Sequence, residues 1–146
     1  SYLIPIKEKY SVKLSEILNY LEKELSFPID IINKELTVLE SIVKYLKEEK
    51  RLSFRQISKL INRDERNIWH IFDNAVKKYP EKFNVKKARL LVPVSILINP
   101  RLSALESVVF YLKEKHRLAY HEIADLLKRD NRVIWTVYNR AKKKNA

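Results

Sequence analysis

Near the C-terminus, Arg132, Thr136, Asn139 and Lys143 recur at the spacing that lines up one side of a helix, at about 100° per residue, with Val133 and Arg140 flanking them. Those residue types suit base edges. Arginine bonds guanine through a two-donor fork, asparagine pairs with adenine, and threonine donates a hydrogen bond or offers its methyl to thymine. An earlier stretch offers a related side: Arg66, His70, Asp73 and Lys77, flanked by Asn67 and Asn74. Here Asp73 would meet phosphate or accept from cytosine, which suggests that this face has drifted toward another job. Arg129, in the turn before the later stretch, joins the contact set.

Each of these residues also has a plainer reading. Arg66 and Arg132 could be solvated or paired with nearby acids. Arg63-Asp64 and Arg129-Asp130 could be a turn and a cap with an internal salt bridge. Trp69 and Trp135 lie at the edge of an apolar stripe, and packing against a neighbouring helix or arm is preferred over base stacking. His70 and His121 are read as surface or phosphate-contacting groups. Tyr45 and Tyr111 are read as core residues with hydroxyls at the edge. The Lys142-Lys143-Lys144 run could be no more than a solvated end.

The elements that position these faces are duplicated. Residues 36–78 align with 102–144 at a constant offset of 66 without a gap, and 21 of the 43 positions are identical. Each copy reads as three helices. The first spans roughly 36–50 and 102–116, with apolar positions at 39, 42, 43 and 46 forming one buried face. Thr37 and Ser103 stand as N-caps, with Glu40 and Glu106 three residues on, the spacing of a capping box. The second helix covers about 53–61 and 119–127. Asp64 and Asp130 then cap the third, which runs to about Lys78 and Lys144. Its core stripe is Ile68, Ile71, Phe72 and Ala75 in one copy, and Ile134, Val137, Tyr138 and Ala141 in the other.

Phe27-Pro28-Ile29-Asp30-Ile31-Ile32 precedes the first copy and Val92-Pro93-Val94-Ser95-Ile96-Leu97 the second. Both are short and β-branched, so they are expected as extended arms or edge strands, where proline is tolerated. The organisation expected is a degenerate, helical partial repeat over 1–26, a first unit over 27–79, a basic connector over 80–91 and a second unit over 92–146. The fold class expected is mainly α, two tandem three-helix units with short extended or β arms at the proline segments.

Composition narrows the chemistry. The chain has 146 residues, 30 Lys and Arg against 18 Asp and Glu, and a net charge of +12, an excess that favours polyanions. With no cysteine, disulfides and thiolate metal sites are excluded, and His70, His116 and His121 show no ligand spacing. With no glycine, Gly-rich phosphate loops are excluded, and asparagine and short loops must make the left-handed turns. No cofactor is expected, and no apolar run approaches the ~18 residues of a membrane helix. No signal peptide is visible, and a cytoplasmic, nucleoid-associated location is expected.

The second copy runs Leu118-Ala119-Tyr120-His121-Glu122-Ile123-Ala124-Asp125-Leu126-Leu127, then Arg129-Asp130-Asn131-Arg132-Val133-Ile134-Trp135, then Arg140-Ala141-Lys142-Lys143. It resembles the region 4 helix-turn-helix of sigma-70-type factors, where a Glu-Ile-Ala helix precedes a recognition helix ending in Arg-Ala-Lys-Lys. The first copy departs more, with Gln56-Ile57-Ser58 in place of Glu-Ile-Ala and Asn74 in place of the arginine. The resemblance implies binding of double-stranded DNA through the major groove. It does not extend to recruitment of RNA polymerase, because no region for that contact is recognisable. The expectation is a non-catalytic DNA-binding regulator or architectural protein. A homodimer is left open, and an adaptor built on the duplicated unit is the alternative.

Overall fold

The computed structural model describes residues 25–145, so the expected partial repeat at 1–26 lies almost wholly outside the described residues. The protein is mainly helical. The first unit contains α1 (Val38–Glu48), α2 (Phe54–Ile61) and α3 (Glu65–Lys78). The second contains α4 (Ala104–Glu114), α5 (Tyr120–Leu127) and α6 (Asn131–Lys144). Each third helix packs on the first and second helices of its own unit.

Local chemistry sets these boundaries. Thr37 and Ser103 accept from the backbone of Glu40 and Glu106, whose carboxylates reach back to the cap N–H groups at 2.9 and 2.8 Å. These are reciprocal capping boxes. Ser53 and Gln56 form a third. At Ala119 only half of it survives: Glu122 accepts from the Ala119 N–H at 2.9 Å, but alanine has no oxygen to return the bond.

Among the described residues, four take left-handed backbone after helices: Arg51, Asn62, Arg117 and Lys128, with φ of 53–56°. Asparagine was expected in this role, yet it fills only one of the four. The N–H groups of Arg63 and Arg129 reach back to the carbonyls of Ser58 and Ala124. These bonds close α2 and α5 in the manner of a Schellman turn; asparagine tolerates the geometry at the end of α2, and at the end of α5 it is imposed although lysine disfavours it.

The proline arms pair with each other. Ser26–Pro28 (β1) and Leu91–Pro93 (β2) form a two-stranded antiparallel sheet, with Phe27 opposite Val92. Phe27 and Val92 are equivalent residues of the two arms. The flanking bonds are equivalent as well, from Ile29 N–H to Leu90 O at 2.9 Å and from Val94 N–H to Leu25 O at 2.8 Å. The pairing is therefore two-fold symmetric about Phe27 and Val92.

Each arm continues into a 3-10 turn, Ile29–Ile31 or Val94–Leu97. The first packs against α5 of the second unit as well as α1. The second packs against α2 of the first unit as well as α4. Phe27, Ile29, Ile32, Val92 and Leu97 are fully buried, and one hydrophobic core runs through both units.

The segment expected as a connector is also held down. Lys44, with no exposed surface, donates to Glu48 at 2.5 Å and to the Glu81 carbonyl at 2.7 Å, and lies over the rings of Tyr79 and Phe83. Further along, Arg89 donates to Asp30 through both its backbone and its side chain. Burial would raise the Asp30 carboxyl, but these Arg89 bonds outweigh it and hold the pKa below its ordinary value.

Candidate nucleic-acid interface

The third helix of each unit starts from an aspartate. The Asp64 carboxylate accepts from the N–H groups of Arg66 and Asn67 at 3.0 and 3.2 Å, and Asp130 accepts from Arg132 at 2.7 Å. Ile68 and Ala75 bury one face of α3, with Ile71 and Phe72 packed beside them. Ile134, Val137 and Ala141 bury the same face of α6, with Tyr138 beside them. The opposite faces turn to solvent.

On α3, Arg66, Asn67, His70 and Lys77 are exposed. Lys77 pairs with Asp73 at 2.9 Å, which partly neutralises this face. On α6, Arg132, Val133, Thr136, Arg140 and Lys143 are exposed and Asn139 is half-buried. The Arg132 side chain is 95% exposed, with its Nε 3.7 Å from Asp130. Thr136 donates to the Arg132 carbonyl at 3.0 Å, and Asn139 donates to the Trp135 carbonyl at 2.8 Å. The residues chosen from helical periodicity thus share one side of each third helix.

Arg129 does not join them. Its guanidinium donates to the carbonyls of Asn33 at 3.0 Å, Leu36 at 3.1 Å and Leu127 at 2.9 Å. Arg63 does the equivalent work, donating to Ile61, Leu97 and Leu102. Burial lowers both guanidinium pKa values from the ordinary one. These arginines clamp one unit to the arm of the other, because carbonyls exposed at the seam supply acceptors in the geometry of the fork. Asp64 and Asp130 act as caps, separately from the clamps.

The tryptophans also depart from expectation. Trp69 and Trp135 are 48% and 56% exposed, not packed on the first helix or the arm. Trp69 meets His70 edge-on at 5.1 Å and borders a shallow groove lined by Phe54, Asp64, Glu65 and Arg66. In the lysine run, Lys142 and Lys143 are solvated, but Lys144 donates to both oxygens of the buried Glu106 carboxylate at 2.9 and 3.0 Å. Lys78 does the same to Glu40.

Among the described residues no group of three His, Cys, Asp or Glu could hold a metal ion, and no helix is long and apolar enough to cross a membrane. No family model matches the chain, and no curated protein or solved structure matches it.

Proposed function

We propose that the protein binds duplex DNA without catalysis, presenting the exposed faces of α3 and α6 to the major groove. One observation carries this reading. Most identities between the two copies have a structural reason: core residues, caps, the Arg63 and Arg129 clamps, and the Lys78–Glu40 and Lys144–Glu106 pairs. Apart from Arg51/Arg117 at the turn after the first helix, the pairs retained although exposed and without a cap or clamp role are Arg66/Arg132, Trp69/Trp135 and Lys77/Lys143, and these fall within an arc of about 80° on the third helix. Their neighbours have diverged, at Asn67/Val133, His70/Thr136, Asp73/Asn139 and Asn74/Arg140. A shared arginine fork and aromatic plane between variable positions suit one base-edge contact common to both helices, with differing base contacts beside it.

The net charge of +12 and the resemblance of the second copy to sigma region 4 support the same reading. The test is a titration of random-sequence duplex at several salt concentrations. Log affinity should fall by about 0.9 per contacted phosphate for each tenfold rise in salt. The absence of duplex binding at low salt would overturn the proposal.

The exposed Trp69, Val133 and Trp135 favour a second reading, in which these helices dock a protein. Affinity for a protein surface of that kind rests on apolar burial and would lack the steep salt dependence.

A further inference from the structure

We infer that the DNA site is an inverted repeat of two similar but unequal half-sites at one fixed spacing. The inference rests on the duplex-binding reading above and adds the arrangement of the target.

The seam between the units is built as an isologous interface within one chain. Phe27 pairs with its own equivalent, Val92, and the flanking bonds Ile29–Leu90 and Val94–Leu25 are the same bond seen from either side. The clamps are reciprocal. Arg63 bonds Leu102 O at 3.3 Å, and Arg129 bonds Leu36 O at 3.1 Å, equivalent donors on equivalent acceptors. Each 3-10 turn leans on the second helix of the opposite unit. Such mutual contacts belong to a two-fold operator, not to a translation of one unit past the other.

The operator acts on α3 and α6 too. If both helices contact one duplex in equivalent ways, the two-fold relation carries one half-site onto the other in inverted orientation, and a direct repeat cannot satisfy both heads. Arg63 and Arg129, each within a residue or two of the start of its third helix, line the same groove with the helix starts at Thr37–Leu39 and Ser103–Leu105. Both third helices therefore begin at the seam.

The spacing is fixed because the units share a core. Phe27 and Val92 are fully buried, and the segment after α3 is tied down by Lys44 and Asp30. Each base pair inserted between half-sites moves the second by about 3.4 Å and turns it by about 34°, from a repeat of 10–10.5 bp per 34–36 Å. A rigid pair of heads cannot follow that rotation. The half-sites should agree where Arg66/Arg132 and Trp69/Trp135 reach, and differ where Asn67 faces one and Val133 the other.

The experiment is selection of bound sequences from random duplex with the full chain, followed by affinity measurements on three re-engineered sets. In the first, one to five base pairs are inserted or removed between half-sites. In the second, one half-site is reversed. In the third, one is scrambled. The expected result is one protein per duplex, an inverted motif, and about tenfold or greater loss on a change of two base pairs or on reversal, down to the level of the scrambled site. Equal affinity across spacings, equal affinity for the direct repeat, or one protein bridging two duplexes would each overturn this inference while leaving duplex binding intact. No binding to any duplex at low salt would overturn the proposed function itself.

Discussion

At the scale of single residues, the two arginines of each third-helix region separate cleanly by job. Arg129 spends its fork on backbone carbonyls, two of them in the other unit, so Arg129→Ala leaves acceptors in the seam without a partner and should cost about 2 kcal/mol in denaturant unfolding. Arg132 is 95% exposed at its side chain, and Arg132→Ala should change stability by less than about 0.5 kcal/mol. Its loss should appear in DNA affinity instead, and more than for Arg66→Ala, because the α3 face carries Asp73 where α6 carries Asn139. Paired titrations of the two variants at one salt concentration check this, and a larger loss from Arg66→Ala would reverse the order. The exposed face was legible from helical periodicity, but the division between Arg129 and Arg132 was not. A basic residue in a turn reads as surface, and its acceptors lie 93 and 96 residues away in the chain. Trp69 and Trp135 were misplaced for the opposite reason. A large aromatic beside an apolar stripe has the hydrophobicity of a core residue, and only the packed structure shows that the core closes without it. The structure gives no reason for arginine at the left-handed positions 51 and 117 of both copies.

At the scale of elements, the sequence was most informative, because capping and helical periodicity are local signals. The three helices of each unit lie within two residues of the boundaries read from Thr37, Ser103, Asp64 and Asp130. Lys128 closes α5 at φ 55°, where a side chain's Cβ crowds the backbone, so Lys128→Gly should raise stability by up to about 1 kcal/mol as read by the unfolding midpoint. A lowered midpoint would show that the lysine side chain contributes more than its backbone strain costs. The ends of α6 and α4 are joined through Glu106. Burial would raise its carboxyl, but the bonds from Ser103 N–H and Lys144 outweigh this and hold its pKa below the ordinary value. A folded-state pKa below the unfolded one gives a stabilisation that is complete above the usual carboxylate range and lost as pH falls through the folded value. Stability should therefore fall on acidification from neutral pH, and Glu106→Gln should flatten that part of the profile while lowering stability at pH 7. An unchanged acid limb in the variant would assign the dependence to other carboxylates.

At the scale of the whole molecule, the two duplicated units share one hydrophobic core and should unfold as one body. The arms' composition showed that they could be extended, but three-residue strands carry no record of their partner, and pairing β1 with β2 closes a loop of more than sixty residues. What holds that closure is mostly apolar: Phe27, Ile29, Ile31, Val92, Val94 and Leu97 are buried at the seam, at about 25 cal/mol per Å² removed from water. Either unit alone would expose its share of this surface and leave a clamping arginine without its carbonyls. The two exposed tryptophans offer a reporter in each unit, since Trp69→Phe and Trp135→Phe remove little buried surface. Trp135 fluorescence in the first variant follows the second unit, and Trp69 fluorescence in the second variant follows the first. Both should give the same urea midpoint and slope as the helical circular dichroism of the full chain, the mark of one cooperative transition. Arg63→Ala should then lower both midpoints together, although it lies in the first unit, because the bond it removes spans the seam. Separate midpoints, or a shift confined to Trp69, would show that the units unfold independently, and a rigidly spaced pair of reading heads would lose its structural basis.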